Sequence, residues 1–195
     1  MFVCDILWVA FWAVWVVWAL WMKKAERRES MATHLLHTLL AAAGFLLMFS
    51  DIAAPWPWLY LRVLPRTLWL DGFGIALTLA GFAFAIWARI HLGRNWSSSV
   101  TAKIGHELIC SGPYKWVRHP IYTGLLLALF GTALVRTQLR GLLALALVYA
   151  GWKIKSRVEE RMMTSTFGAQ YTEYASNTGA MAPRPGKSKR LVASR

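Results

Sequence analysis

Five long apolar segments, separated by short polar linkers, constrain the fold of this chain more than any other feature. A helix needs about 20 apolar residues to cross the hydrocarbon core of a bilayer. The first three segments reach that length, and the last two reach it with their polar flanks, where Arg136 and Arg140 can extend toward the interface. We therefore predict an all-α integral membrane protein with five transmembrane helices, at about residues 6–22, 35–54, 68–92, 121–135 and 141–152.

The composition agrees with a membrane location. Hydrophobic residues make up 57% of the chain and charged residues 16%, against about 45–50% and about 25% in soluble domains. The net charge is +13, but the basic residues lie between apolar segments and form no single stripe. This pattern favours contact with membrane lipids over a nucleic-acid partner. Cys4 and Cys110 fit no metal-binding or disulfide spacing, and we predict no metal site.

The distribution of Lys and Arg predicts an orientation. Residues 23–33, 89–120 and 153–195 hold 18 of the 22 basic residues, whereas residues 55–67 and 136–140 hold the remaining four. Basic loops mark the cytoplasmic side of a membrane. We therefore predict that the N-terminus is outside and that the C-terminus is cytoplasmic.

Two further regions yield predictions about organisation. Residues 177–195 are rich in Gly, Pro, Ser, Lys and Arg, so we predict a transmembrane domain over residues 1–176 and a disordered tail after it. The first segment carries tryptophans every three or four residues, which predicts an aromatic stripe on one helix face. Such a stripe indicates a lipid-facing or helix-packing surface more often than an aromatic ligand site. Its members are Trp8, Trp12, Trp15, Trp18 and Trp21.

The clearest candidate site is the stretch GPYKWVRHPIYTG at residues 112–124, at the entrance to the fourth apolar segment. Polar side chains at that depth favour a binding function. His119 and Pro120 begin a helix whose first N–H groups form an anion site. Arg118 adds a guanidinium suited to a carboxylate, and Tyr122 lies on the same helical face as His119. The alternative is a helix cap with interfacial Arg, His and Tyr anchors.

A second polar stretch, KIKSRVEER at residues 153–161, follows the fifth apolar segment. Its adjacent Glu159 and Glu160 could act as an acid–base pair, as metal ligands or as receptors for a cation, or form a solvated face. Lys155 shares a helical face with Glu159. The linker RTQLR is short enough for an antiparallel hairpin, which predicts that Glu159 faces His119 on the cytosolic side.

These two stretches resemble a known family. Residues 92–124, LGRNWSSSVTAKIGHELICSGPYKWVRHPIYTG, and residues 159–174, EERMMTSTFGAQYTEY, resemble the isoprenylcysteine carboxyl methyltransferases, which are relatives of membrane phospholipid N-methyltransferases. The resemblance covers residues 89–174. It implies a helical integral membrane fold and S-adenosylmethionine as methyl donor, bound between the His-Pro-x-Tyr motif and the glutamates.

The resemblance also implies residue roles. It assigns the substrate carboxylate to a basic residue near the glutamates, which is Lys155 or Arg157, and we add Arg118 as a third catalytic candidate. The residues expected to line the cofactor are His106, Glu107, Leu108, Ile109, Tyr114, His119, Pro120, Ile121, Tyr122, Glu159 and Glu160.

We therefore predict methyl transfer from S-adenosylmethionine to a lipophilic small molecule that enters from the bilayer. We place the protein in a bacterial inner membrane with its active site facing the cytosol. The leading acceptor is the carboxylate of an isoprenylcysteine-like molecule, which needs no general base. An alternative is N-methylation of a phospholipid or another amine, where Glu160 or His119 would have to accept a proton. A second alternative is a non-catalytic membrane binding or assembly protein.

Overall fold

The computed structural model describes residues 2–20, 30–93 and 108–184, and this part of the chain is helical without any strand. Short 3₁₀ turns lie at Pro57–Tyr60 and Gly112–Lys115. The all-α prediction is confirmed. The α-helices are α1 (Phe2–Leu20), α2 (Met31–Phe49), α3 (Leu68–Leu92), α4 (Pro120–Arg136), α5 (Leu139–Phe167) and α6 (Ala169–Asn177).

Helices α1 to α5 correspond to the five predicted apolar segments. By length and composition, α2 and α3 could each cross a membrane, and α1 and α4 contain shorter apolar helices. The count of five crossings stays a prediction. Helix α2 ends at Phe49, five residues before the predicted end at residue 54, because the backbone of Ser50 is extended, with φ −116° and ψ 169°, and its hydroxyl donates to the Leu46 carbonyl.

Glycines bring α3 and α4 into backbone contact. A Cβ added to Gly81 would lie 2.4 Å from the Gly124 carbonyl oxygen, and one added to Gly124 would lie 2.5 Å from the Gly81 oxygen. Gly74 and Gly131 face each other in the same way, at 2.6 and 2.4 Å. Small residues allow this approach between membrane helices. The contact fixes the start of α4, where the candidate site lies, beside the end of α3.

Replacing Gly81 by Ala is expected to destabilise the protein. The added methyl group meets backbone on the facing helix, and overpacking of this kind costs about 1–3 kcal/mol. Gly72→Ala is the matched control, because its added Cβ has nothing within 4 Å. Thermal unfolding in detergent should show a lower midpoint for Gly81→Ala alone. Equal midpoints for the two variants would contradict the close contact between α3 and α4.

The tryptophan stripe of α1 packs against other helices. The Trp8 indole nitrogen donates to the Thr132 hydroxyl at 2.9 Å, and its ring meets Phe82 edge-on at 4.8 Å. Trp8 and Trp15 are both buried, while Trp21 lies outside the described residues. The stripe predicts a lipid-facing or a helix-packing surface. In the structure, Trp8 and Trp15 belong to a helix-packing surface.

The opposite end of the bundle is held by two buried arginines. Arg136 forms a salt bridge with Asp5 at 2.5 Å, and Arg140 donates to the Ser50 carbonyl at 2.9 Å. Both arginines are less than a tenth exposed. The expectation that they extend outward to the interface is therefore wrong. They instead connect the α4–α5 turn to α1 and to the end of α2.

Candidate functional site

The α4–α5 hairpin brings His119 and the two glutamates together, as the short linker predicts. Thr137, between the two helices, adopts a left-handed conformation with φ 56° that reverses the chain. The His119 Nδ1 atom lies 3.3 Å from Glu159 Oε2, and its Nε2 atom lies 3.0 Å from Glu160 Oε1. His119 and two carboxylates that lie 40 and 41 residues later in sequence thus form one cluster.

Both ring nitrogens of His119 face carboxylates, and only the imidazolium form can donate from both. Burial by itself would lower the pKa of His119, but the hydrogen bonds and negative charges of Glu159 and Glu160 outweigh burial and raise it. The geometry and the charge balance therefore favour a positively charged His119 between two carboxylates.

Glu159 is kept ionised by its neighbours. The apolar part of α5 ends near Trp152, so Glu159 lies about 10 Å further along the helix. Burial opposes its charge, but the hydrogen bond with His119, the Lys155 ammonium and the Tyr122 hydroxyl lower its pKa. Tyr122 donates to Glu159 at 2.6 Å. The Tyr122 ring also stacks on His119 at 5.6 Å and on Trp152 at 5.5 Å, which builds an aromatic wall beside the carboxylate.

Arg118 connects Glu160 to the end of the chain. Its Nε and Nη2 atoms both donate to Glu160 Oε1, at 2.9 and 2.8 Å. Its Nη1 atom donates to the carbonyls of Ala175 and Thr178 at the end of α6. The guanidinium thus has a glutamate on one edge and two backbone carbonyls on the other. This arrangement suits a residue that holds other parts of the site in position.

The segment after α6 packs directly against the His-Pro motif. The N–H groups of Arg118 and His119 donate to the carbonyls of Gly179 and Ala180, at 2.8 and 3.0 Å, and the Thr123 hydroxyl donates to Met181 at 2.8 Å. We call residues 178–182 the strap. The prediction of disorder from residue 177 is therefore wrong for residues 177–184, because the backbone of the strap pairs with that of residues 117–119. Residues 185–195 lie outside the described residues.

Helix α6 was not anticipated from the sequence. Its Tyr171 and Tyr174 are buried, and the Tyr174 hydroxyl donates to the Tyr114 carbonyl at 2.7 Å. The Y-x-x-Y spacing, which places both rings on one helical face, is the signal that could have identified it. The helix holds the Gly112–Lys115 turn against the site.

The remaining candidate site residues differ in their burial and in their contacts. Pro120 and Ile121 form the first turn of α4, where no side chain caps the helix, and Tyr114 is buried with its hydroxyl 3.4 Å from the Ala88 carbonyl. Lys155 lies over the Tyr122 ring at 5.8 Å, whereas Arg157 is exposed. Leu108 and Ile109 are half-buried. His106 and Glu107 lie outside the described residues.

No group of three or more His, Cys, Asp or Glu side chains suited to a metal ion occurs within residues 2–20, 30–93 and 108–184. The charged atoms of the cluster instead pair with one another.

The His119 cluster makes stability depend on pH in both directions. The raised pKa of His119 means that its contribution is complete below its ordinary value of 6.5 and is lost as pH rises through the folded-state pKa. The lowered pKa values of Glu159 and Glu160 mean that their contribution is complete above 4.5 and is lost as pH falls through the folded-state values. The midpoint of thermal unfolding in detergent should therefore be highest between about pH 4.5 and 6.5.

A His119→Gln variant is the control for this profile. It should lose the decline on the alkaline side of neutrality that the wild-type protein shows, since Gln does not titrate. A wild-type midpoint that rises steadily from pH 6.5 to 9 would contradict the imidazolium cluster.

Comparisons with known proteins agree with this geometry. The model of the family described as phospholipid methyltransferase matches residues 70–170, from the start of α3 to the start of α6. A solved structure of a eukaryotic intramembrane Ras methyltransferase, isoprenylcysteine carboxyl methyltransferase, superposes with a TM-score of 0.56 and 26% identity, over 75% of this chain and 52% of that chain. The family model thus includes His119, Glu159 and Glu160 and ends before the strap.

The sequence relatives include several protein-S-isoprenylcysteine O-methyltransferases. The chain is 30% identical over 120 residues to a protein-S-isoprenylcysteine O-methyltransferase of Tribolium castaneum, covering 59% of this chain and 42% of that protein. It is 28% identical to protein-S-isoprenylcysteine O-methyltransferase B of Arabidopsis thaliana, covering 59% and 60%. It is also 30% identical to the cobalt-zinc-cadmium resistance protein CzcN of Cupriavidus metallidurans, covering 60% and 52%.

The chain spans about half the length of the relatives that it matches. The predicted resemblance to the isoprenylcysteine carboxyl methyltransferases is confirmed by these matches. Since the family model covers just over half of the 195 residues and includes the His119–Glu159 cluster, this chain belongs to the phospholipid methyltransferase family.

Proposed function

We propose that this protein is an integral membrane methyltransferase that uses S-adenosylmethionine to methylate the carboxylate of a lipophilic, isoprenylcysteine-like molecule. The observation that carries the proposal is the cluster of His119 with Glu159 and Glu160 at the start of α4. It places ionised carboxylates, aromatic rings and the first N–H groups of α4 within one region. Membership of the phospholipid methyltransferase family supports the same chemistry.

The residues present fit this methyl donor. Its ammonium group suits Glu159, whose oxygens already accept from His119 and Tyr122 and have remaining lone pairs. Its carboxylate suits the N–H groups of Ile121 and Tyr122, because no side chain caps α4. Its sulfonium suits the face of an aromatic ring, a contact that contributes about 0.5–2 kcal/mol.

When bound, S-adenosylmethionine would supply a methyl group on a sulfonium. A carboxylate oxygen could bond to that methyl carbon as the carbon–sulfur bond breaks, which releases a neutral thioether and leaves no proton to remove. The protein then needs to position the acceptor and exclude water rather than to supply a base. His119 holds Glu159 and Glu160 in place. Arg118 is assigned to positioning, because its guanidinium is engaged by Glu160 and by the end of α6.

Lys155 and Arg157 take different places in this proposal. The Lys155 ammonium lies over the Tyr122 ring and helps to keep Glu159 ionised, so we assign it to the electrostatics of the donor site. Arg157 is exposed on α5 and is assigned no contact with the acceptor.

The proposed topology places the site where a soluble cofactor can reach it. We propose five membrane crossings with the N-terminus outside and the C-terminus in the cytoplasm of a bacterium, following the distribution of basic residues. The starts of α2 and α4 and the ends of α1, α3 and α5 then lie on the cytosolic side.

A second candidate, N-methylation of a phospholipid amine, is favoured by the description of the matching family. That reaction needs a base to accept a proton. Each ring nitrogen of His119 already contacts a carboxylate, which favours its protonated form, and Glu160 is bound by Arg118. Both are therefore poor bases, and the carboxylate acceptor remains the better candidate.

Methylation by the purified protein tests the proposal. The protein in detergent is incubated with methyl-labelled S-adenosylmethionine and N-acetyl-S-farnesyl-L-cysteine, with total membrane lipid in a parallel sample. We expect label that mild base releases as methanol, as an ester requires. Base-stable label in the lipid sample would instead establish N-methylation. Failure of the protein to bind S-adenosylmethionine would favour a non-catalytic membrane protein.

A further inference from the structure

An exposed apolar face runs along most of α3. Trp69, in the first turn of the helix, is 90% exposed, and Trp87, near its end, is 41% exposed. The exposed residues between these two tryptophans all have an apolar side chain or none, and they are Gly72, Phe73, Ala76, Leu79, Ala80 and Ala83. They recur every three or four residues, as one face of a helix does. A continuous apolar surface of this kind marks a contact with a membrane or with another protein.

The two tryptophans at the ends of this face match the thickness of a bilayer. Trp69 and Trp87 are 18 residues apart, which is about five helical turns and places them on one side of α3, about 27 Å apart. The hydrocarbon core of a bilayer is about 30 Å thick. Tryptophan is enriched at both of its interfaces with water. This spacing therefore favours lipid over a protein partner as the occupant of the face.

Basic side chains lie beyond both tryptophans. At one end, Arg66 is exposed and precedes Trp69 by three residues. At the other end, the Trp116 ring packs edge-on against Trp87 at 5.5 Å, and the neighbouring Lys115 is exposed. The exposed residues of α3 between Trp69 and Trp87 are uncharged. Cations at the two ends of an uncharged face are complementary to the two layers of lipid phosphates.

Trp116 connects this face to the candidate site. It is 52% exposed, and it lies between the Gly112–Lys115 turn and His119. The next residue, Val117, is buried, and the N–H of Arg118 donates to the strap. The chain thus passes within three residues from an exposed aromatic ring to the His119 cluster. A ring held at one depth in the membrane therefore fixes the depth of the cluster as well.

We propose that the exposed face of α3 contacts lipid acyl chains, and that Trp87 and Trp116 together anchor the His119 site at the headgroup boundary of the adjacent leaflet. Trp69 lies at the opposite boundary. This inference rests on the membrane location given in the proposed function but not on the reaction. It adds that the donor site lies at headgroup depth, so a lipophilic acceptor has to present its carboxylate at that depth.

Spin labels on the reconstituted protein test the lipid contact. The labels are attached at Leu79→Cys or Lys115→Cys in a variant with Cys4→Ala and Cys110→Ala, in vesicles of phosphatidylcholine and phosphatidylglycerol. Collisions with oxygen, which concentrates in hydrocarbon, are compared with collisions with a polar nickel complex. The nickel collision rate should be about tenfold or more lower at position 79 than at position 115, because hydrocarbon excludes polar solutes.

A pair of charge substitutions tests the same face without labels. Leu79 lies about 15 Å from Trp69 and about 12 Å from Trp87 along the helix. Leu79→Lys should therefore lower the ratio of folded to unfolded protein in these vesicles about 100-fold, because it places a charge near the bilayer centre. Gln170→Lys, at an exposed position of α6, is the matched control and should change the ratio less than about threefold. Denaturant unfolding measures both ratios, and equal ratios would overturn the lipid contact.

Brominated phosphatidylcholines test the anchor formed by Trp87 and Trp116. Bromine quenches indole fluorescence on contact, so its position along the acyl chain reports depth. Trp87→Phe and Trp116→Phe should each remove emission that is quenched mainly by lipids brominated near the headgroup. Emission that is quenched mainly by lipids brominated near the chain end, or by neither lipid, would overturn the anchor.

The remaining outcomes separate this inference from its alternatives and from the proposed function. Nickel collisions as frequent at position 79 as at position 115 would overturn the lipid contact. A label at position 79 that is shielded from both reagents and broadened by a second label would show that another copy of this chain covers α3. These measurements use no methyl donor. Methylation without the expected depths would refute only the placement, and the expected depths without methylation would refute only the reaction.

Discussion

Replacing Glu159 by Gln should lower the affinity for S-adenosylmethionine about 10–100-fold, because a charged hydrogen bond contributes about 1.5–3 kcal/mol. Glu159 is the proposed receptor for the ammonium of the donor, and its charge is maintained by His119, Lys155 and Tyr122. Gln has nearly the same shape and keeps a hydrogen-bond acceptor for Tyr122. The loss should therefore reflect the missing charge and not a repacked helix.

Calorimetry on the purified protein in detergent measures this change directly. Glu173→Gln is the matched control. Glu173 is an exposed residue of α6, so this substitution removes the same charge at a position away from the cluster. His119→Gln should also weaken donor binding, since it leaves Glu159 and Glu160 adjacent without the imidazolium between them. Donor affinity within twofold of wild type in Glu159→Gln would exclude this glutamate as the ammonium receptor.

Local sequence signals were sufficient for most helices. The apolar run at residues 68–92 predicted the bounds of α3, and the structure shows Thr67 capping its start and Gly93, with φ 53°, at its end. The meeting of His119 and Glu159 also followed from local information, since a linker of a few residues between two helices leaves little choice but an antiparallel pair.

The errors arose where distant residues decide the structure. The strap reads as disordered from its composition, but its carbonyls accept hydrogen bonds from Arg118 and His119, about 60 residues earlier. Arg136 and Arg140 read as interfacial cations, but Asp5 and Ser50 provide buried partners. Arg89 has no neighbouring motif in the sequence. Its placement beside Trp15 and Trp18 depends on the packing of α1 against α3.

Arg118 connects Glu160, which the sequence predicted as part of the site, to the strap, which the sequence did not predict. The side chain contacts Glu160 on α5, and its second edge binds the carbonyls of Ala175, at the end of α6, and Thr178, at the start of the strap. It is 12% exposed. The removal of one partner from a largely buried ion pair leaves the other charge without compensation, which costs about 3–5 kcal/mol.

Arg118→Gln should therefore release the strap and lower stability by about 3 kcal/mol. Arg157→Gln is the matched control, since Arg157 is an exposed arginine on α5 and should change stability by less than about 0.5 kcal/mol. Hydrogen exchange distinguishes the two effects. The amides of residues 117–119 and 178–182 should exchange faster in Arg118→Gln, while those of the α3–α4 contact keep their protection relative to the global unfolding rate. If the amides of residues 117–119 and 178–182 keep wild-type protection in Arg118→Gln, the backbone hydrogen bonds of Gly179 and Ala180 hold the strap without the guanidinium, and the positioning role of Arg118 is contradicted.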